Sequence, residues 1–131
     1  MPLWHRDLDK RKITGGRKRA YRSKRIFEAG GFPSETKIGD PLRTVGRGRG
    51  GTLKTKLHSE RHVVVTDQNK NVAKKVEILR VINNPVSADY NRRKIMTKGT
   101  VIATSLGEAI ITSRPVQYGV INAILLNERG H

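Results

Sequence analysis

The chain has 131 residues, with 27 Lys and Arg against 11 Asp and Glu, and a formal net charge of +16 at pH 7. So much positive charge repels itself in a compact fold unless a polyanion neutralises it, and phosphate backbones are the commonest such partner. The absence of cysteine excludes disulfide frameworks, cysteine-based zinc sites and thiol nucleophiles. No apolar stretch approaches the roughly 18 residues of a membrane span. Because a lipidation signal is also missing, we expect a soluble intracellular protein without a membrane partner.

Residues 1–35 are predicted to form a basic N-terminal extension, the arm, that is disordered in the absence of RNA. The stretch from Lys10 to Arg25 has no acidic residue, and its few apolar side chains cannot offset an ordering cost of about 1 to 2 kcal/mol per residue. Its basic residues are Lys10, Arg11, Lys12, Arg17, Lys18, Arg19, Arg22, Lys24 and Arg25. Such a block typically neutralises phosphates, and Tyr21 within it is placed to stack on a base.

Residues 36–127 are predicted to form a folded domain, because short Val-, Ile- and Thr-rich runs alternate there with Gly, Asn, Asp and Pro. The predicted strands lie at Leu53–Leu57, Val63–Thr66, Val72–Ile82, Thr100–Thr104, Ala109–Ser113 and Val120–Leu126. Val72–Ile82 also fits a helix, but its β-branched residues favour a strand. Ser87–Lys94 is typical of a helical turn or loop. About six short strands indicate a small antiparallel sheet closed into a barrel or a sandwich, and residues 128–131 are predicted to be a short tail.

Several basic patches in this domain are candidate nucleic-acid contacts. Lys54 and Lys56 lie two residues apart in a predicted strand and therefore share one of its faces. In the glycine-rich stretch before them, Arg47 and Arg49 are expected to share a strand face in the same way. This stretch also resembles a phosphate loop, but the Lys-Ser/Thr that such a loop requires does not follow Gly51. A nucleic-acid-facing strand and turn is therefore the favoured interpretation.

No catalytic or metal-binding set emerges from the sequence. His58 and His62 are four residues apart, as on a metal-binding helix, but the Glu of the zinc-protease pattern does not follow His58. The carboxylates are few and scattered, and no nucleophile elbow or dinucleotide fingerprint is present. We therefore expect no enzyme activity, no metal and no cofactor. At 5% aromatic residues, a sheet that stacks several bases is also not expected.

Several short motifs follow one another along the chain: residues 12–19 (KITGGRKR), 24–28 (KRIFE), 35–39 (ETKIG), 47–51 (RGRGG), 82–85 (INNP), 92–93 (RR), 97–99 (TKG), 112–115 (TSRP) and 119–123 (GVINA). In these motifs and their order the chain resembles the S-eight-e family of archaeal and eukaryotic small-subunit ribosomal proteins. The chain departs from the family pattern at Ala29, Gly31, Val116 and Tyr118. Its short length looks archaeal.

The resemblance implies a β-barrel with a basic N-terminal extension buried in small-subunit ribosomal RNA, and a structural role without catalysis. Its implied partners are this RNA and neighbouring small-subunit ribosomal proteins, in the cytoplasm, with no small-molecule substrate and no homo-oligomer. A ribosome-assembly factor and a small nucleoid DNA-binding protein are the alternatives. The predicted RNA contacts are Lys10, Arg11, Lys12, Thr14, Gly15, Gly16, Arg17, Lys18, Arg19, Tyr21, Arg22, Lys24, Arg25, Lys37, Arg43, Arg47, Arg49, Lys54, Lys56, Arg92, Arg93, Lys94 and Arg114.

Overall fold

The structure is a computed structural model that describes residues 3–5 and 7–126, without the side chain of Asp7. These residues divide into two compact units, one up to Pro33 and one from Ser34 onward. The predicted tail at 128–131 lies outside the described residues.

The first unit contains a short antiparallel ladder between β1 (Leu3–Trp4) and β2 (Ala29–Gly30). Single 3-10 turns at Asp7–Asp9 and Ile26–Glu28 complete its regular structure. No residue of this unit whose burial the structure describes is fully buried. Hydrogen bonds and ion pairs, rather than an apolar core, therefore hold its local geometry.

The second unit is built on two sheets and two short helices. Its elements are β3 (Lys37–Ile38), β4 (Leu42–Arg47), β5 (Leu53–Glu60), β6 (His62–Asp67), β7 (Val72–Asn83), α1 (Ala88–Arg92), β8 (Val101–Thr104), β9 (Gly107–Ile111), α2 (Pro115–Tyr118) and β10 (Asn122–Leu125). Strands β6 to β10 close into a five-stranded barrel, whereas β3, β5 and β4 form a separate sheet in that order. The predicted mainly-β barrel is confirmed, as are the strand at 72–82 and the helical turn within 87–94.

The sequence indicated an antiparallel sheet, but one pair of neighbouring strands in the barrel is parallel. Each of its strands is antiparallel to the next along the chain, but β10 closes the ring by pairing in parallel with β6, with Asn122 opposite Val64 and Ile124 opposite Thr66. The parity of the strand count requires this, because five strands of alternating direction leave the first and fifth pointing the same way. The short pairing of β3 with β5 is also parallel.

The core fills the barrel with alternate residues of its strands, as the two-residue period of a strand requires. The buried apolar side chains are Val63, Val65, Ile78, Val81, Ile102, Ala109, Ile111, Ile121 and Ala123, joined by Leu57 of β5 and by Met96. Leu57 thereby attaches the three-stranded sheet to the barrel. Thr36 completes this attachment, since its hydroxyl donates to the Leu57 carbonyl and its own carbonyl accepts from the Met96 amide.

A substitution of Ile102 is the most direct test of the barrel core, because the Ile102 side chain is fully buried on β8, between β7 and β9. Replacing Ile102 with Ala removes buried methylene groups and leaves a cavity, so we expect the free energy of unfolding to fall by about 2–5 kcal/mol. Val64→Ala, on the outward face of β6, is the control, with an expected loss below about 1 kcal/mol. Urea denaturation of both variants measures the difference, and equal losses would contradict this description of the core.

Candidate nucleic-acid interface

The basic stretch of the arm forms a closed turn in its first half. Arg11 and Arg17 face each other in an antiparallel bridge, and the amide of Lys12 donates to the carbonyl of Gly16 at 3.0 Å. Gly15 has a φ of +82°, a left-handed conformation that an L side chain adopts at a cost, so glycine is favoured at this position. The loop exposes the Lys12 and Thr14 side chains to solvent. The turn therefore holds cations and glycine backbone together at one exposed site.

Arg22 organises the second half of the arm. Its guanidinium donates to the Tyr21 hydroxyl at 2.9 Å, pairs with the Glu28 carboxylate, and lies 5.2 Å and 5.6 Å from the ring centroids of Tyr21 and Phe27. The backbone N–H of Arg25 and, next, the Arg22 side chain lower the pKa of Glu28 by hydrogen bonding to its charged form. Arg22 therefore has protein partners, while the exposed ring of Tyr21 stays accessible.

Lys24 contacts an aromatic residue that sequence reasoning had not selected. Its ammonium group lies 5.3 Å from the ring centroid of Trp4, within the range of a cation–π interaction. Trp4 lies on β1, before the basic block. The one signal in the sequence that could have drawn attention to it is that the chain has a single tryptophan.

The β4–β5 hairpin carries a basic face at the edge of the three-stranded sheet. All six residues of β4 are exposed, as are Lys54 and Lys56. Across the ladder, Lys54 lies opposite Gly46 and Lys56 opposite Thr44. Since both partners are small, no bulky side chain of β4 lies beside the two ammonium groups on this face. The prediction that Lys54 and Lys56 share a strand face is confirmed.

The hairpin tip differs from its prediction. Arg47 is the last residue of β4, whereas Arg49 lies in a 3-10 turn at Arg49–Gly51, so the expectation that they share a strand face is wrong. The reason is that Gly50 and Gly51 have φ values of +68° and +77°, which turn the chain back toward β5. The Arg49 carbonyl accepts from the Thr52 hydroxyl at 3.1 Å and fixes the turn.

Arg43 makes a structural connection within this domain. Its Nε donates to the Gly119 carbonyl at 2.8 Å, and its terminal nitrogen pairs with Glu60, whose side chain is only 7% exposed. Glu60 also accepts from the backbone amides of Arg61 and His62 at 3.2 and 3.4 Å. Gly119 has a φ of +72°, and a Cβ there would meet the Thr55 methyl group at 2.8 Å, so α2 approaches β5 closely. Arg43 thus links β4 to β5 and to the end of α2.

The three consecutive cations at the end of α1, Arg92 to Lys94, have different surroundings. Arg93 pairs with Asp89 at 2.8 Å and Glu35 at 2.6 Å, and lies over the Tyr90 ring. Arg92 also pairs with Asp89, and the pKa of Asp89 is lowered by hydrogen bonds from Arg92 and then Arg93. Lys94 is exposed and has no ion-pair partner in the described part of the chain. Arg92 and Lys94 therefore extend the basic surface, whereas Arg93 fastens Glu35 to α1.

The remaining predicted contacts lie at separate places on the second unit. Lys37 is exposed on β3, and Arg114 is exposed at the N-terminal end of α2, where it contacts Gln117 at 3.4 Å. Sequence reasoning missed the exposed cations Lys70, Lys74, Lys75, Arg80 and Lys98. These cations occur singly or as an adjacent pair, so no run of basic residues marks them in the sequence.

No catalytic or metal centre is evident in the described ranges. His58 lies on β5 and His62 on β6, and no group of three or more His, Cys, Asp or Glu side chains there is arranged to hold a metal ion. Among the same residues, no helix is long and apolar enough to cross a membrane. Basic surface with little acidic counterpart is therefore the main chemical feature of both units.

Comparison with known proteins identifies close relatives along nearly the whole chain. The family model described as "Ribosomal protein S8e" matches residues 5–126. The chain is 45% identical over 126 residues to "Small ribosomal subunit protein eS8" of Sulfolobus acidocaldarius, covering 95% of this chain and 98% of that protein. The protein of the same name from Ignicoccus hospitalis is 46% identical over 123 residues (92% and 95%), and that from Methanococcus vannielii is 42% identical over 129 residues (98% and 100%).

The geometry around Arg43 predicts that this cation stabilises the fold, whereas Lys56 does not. Arg43→Ala removes the partner of the buried Glu60 carboxylate and the donor to Gly119, so we expect the free energy of unfolding to fall by about 1–3 kcal/mol. Lys56→Ala loses the same charge from an exposed position and is expected to stay within about 0.5 kcal/mol of the parent chain. Chemical denaturation distinguishes the two variants. A stability unchanged by Arg43→Ala would contradict the connecting role.

Proposed function

The chain belongs to the ribosomal protein S8e family, and from this membership we propose that it is a structural constituent of the small ribosomal subunit that binds and stabilises small-subunit ribosomal RNA. The family is structural and not enzymatic. The place of action is the cytoplasmic ribosome, where neighbouring small-subunit proteins are further partners.

The observation that carries the RNA-binding part of this proposal is the excess of cations over anions, +16 in 131 residues, with many of the cations exposed. A polyanion that contacts them releases condensed counterions and removes their mutual repulsion. Exposed Lys10, Lys12, Arg17 and Arg19 in the arm, and Lys54 and Lys56 on the hairpin, suit phosphate contacts because they form no ion pair in the described part of the chain.

The arm is proposed to be disordered in free solution and to take up one conformation on RNA. Its described residues bury no side chain completely, so its order depends on exposed hydrogen bonds and on the Arg22–Glu28 pair. Water and salt compete with such contacts, whereas bound phosphates add to them. Glycine backbone at Gly15 and Gly16 allows close approach of phosphate, and the Tyr21 ring is open to stacking on an unpaired base.

The β4–β5 hairpin is proposed as the second RNA contact. Lys54 and Lys56 are about 7 Å apart along one strand face, and the small residues opposite them let a sugar–phosphate backbone approach the strand. Arg47 and the Arg49 turn add charge at the tip. The mode of recognition is therefore backbone and shape rather than the base-edge code of a duplex groove.

The placement in the small subunit is tested by sedimentation. We expect an epitope-tagged full-length chain, expressed in cells of an archaeon that encodes it, to migrate with small subunits through a sucrose gradient in moderate salt. Cosedimentation that survives treatment with a nuclease specific for DNA supports RNA association. Migration as free protein, with large-subunit precursors only, or with DNA would contradict the proposal and favour an assembly factor or a nucleoid protein.

The role of the arm is tested by the salt dependence of RNA binding. Replacing Lys10, Lys12, Arg17 and Arg19 with Gln removes four proposed phosphate contacts, so the slope of log K against log salt should fall by about 3 in magnitude. The matched control replaces Lys70, Lys74, Lys75 and Lys98 with Gln, which removes the same charge from the second unit. Filter binding of small-subunit RNA at several salt concentrations measures both slopes. An equal fall of the slope in the control would contradict the proposal, because the salt dependence would then follow net charge rather than contacts made by the arm.

A further inference from the structure

A cavity of about 530 Å³ opens on the second unit. We name it the Leu79 groove, and its lining residues are Ile38, Leu79, Arg80, Val81, Ile82 and Lys94. Ile38, Leu79 and Ile82 give the groove its accessible aliphatic surface, Val81 belongs to the buried core beneath it, and Arg80 and Lys94 are cations. A water-exposed aliphatic surface with two cations beside it needs a physical reason, because exposed apolar surface loses the free energy that burial would provide.

A β-bulge in β7 places Leu79 and Arg80 next to each other on the outer side of the barrel. The pairing of β7 with β8 passes from Ile78 opposite Thr104 directly to Arg80 opposite Ala103, so Leu79 is the extra residue. Its side chain is 62% exposed, as alternation after the buried Ile78 requires, and the extra residue returns Val81 to the core. A bulge redirects side chains that a regular strand would alternate, and bulges of this kind are common beside binding sites. Here it places an aliphatic side chain and Arg80 at the groove.

Lys94 reaches the groove from a strained backbone position. Its φ of +55° is left-handed, and it occupies the position after α1 where helices usually end in glycine. The helix-ending hydrogen bonds are present, since the Lys94 amide donates to Asn91 at 3.2 Å and the Ile95 amide to Tyr90 at 3.0 Å. Glycine would satisfy the same backbone without strain, so the fold alone does not call for a lysine. The feature of Lys94 that the fold leaves unexplained is its charged side chain, which a ligand in the groove would contact.

We propose that the Leu79 groove binds a segment of a neighbouring protein that presents an aliphatic side chain next to a carboxylate. The aliphatic walls accept the apolar side chain, and Arg80 and Lys94 complement the carboxylate charge. An RNA base fits the groove less well, because its edges would lose hydrogen bonds to water that the side chains of Ile38, Leu79 and Ile82 cannot replace. The proposal rests on the proposed function, since the neighbours concerned are those of the small subunit.

The test places a photo-crosslinking amino acid at position 79 of the full-length chain, expressed in the same cells. Small subunits are isolated on a gradient and irradiated, and mass spectrometry identifies the adduct. The expected adduct is a peptide in which an aliphatic residue adjoins Asp, Glu or a terminal carboxylate. Adding Arg80→Glu and Lys94→Glu should lower its yield roughly fivefold or more, corresponding to about 1 kcal/mol of binding free energy. Lys70→Glu with Lys98→Glu, the same charge change elsewhere, should leave the yield unchanged.

Lys94→Gly separates binding from folding. Glycine relieves the left-handed strain, so the midpoint of thermal unfolding should stay or rise while the adduct yield falls. The inference is overturned if the adduct yield is unchanged in Lys94→Gly or in the Arg80→Glu, Lys94→Glu variant. It is also overturned if the adduct is RNA, if the peptide has no carboxylate, or if no adduct forms. Each of these outcomes leaves the proposed function intact. If the unsubstituted chain were absent from small subunits, the proposed function would fail, and the inference with it.

Discussion

The pairing of β10 with β6 is the constraint on which the second unit depends. Five strands that alternate in direction can close only through one parallel pair, and this pair removes the two edges that an open sheet would expose. The closed barrel also provides the core to which the outer sheet is attached. Leu57 is buried against the barrel core, and the sheet of β3, β5 and β4 is thereby attached, so the basic hairpin is held on a rigid support.

Arginine and lysine have different roles in this strongly basic chain. The carboxylates of Glu28, Glu60, Glu77 and Asp89 have arginine partners in the structure, and Glu35 is fastened by Arg93. A planar guanidinium holds a carboxylate in a defined orientation, whereas a lysine ammonium is a flexible point charge. With few acids available, some arginines hold the chain together. The exposed lysines, including Lys54, Lys56 and Lys94, supply positive charge to the surface.

The sequence predicted the mainly-β class and the positions of most strands, because alternating β-branched runs and turn residues act locally. It did not predict the parallel closure, since the period of a strand assigns faces but not partners. Arg43 shows the same limit at the level of a side chain. In the sequence it is one more cation, and only the fold brings Glu60 and the Gly119 carbonyl to it. The basic run Arg92 to Lys94 predicts Lys94 as an RNA contact, but nothing in that run indicates that the backbone at Lys94 is left-handed.

Barrel closure has a consequence for the order in which the chain is made. During translation β6 leaves the ribosome before β7, β8 and β9, and its closing partner β10 follows them all. Until β10 emerges, one side of β6 offers unpaired backbone groups along a valine-rich strand, Val63 to Val65. Before β10 is synthesised, the strands β6 to β9 can form only an open sheet, with free edges at β6 and β9. Premature release at any earlier codon would leave a fragment prone to pairing with other strands.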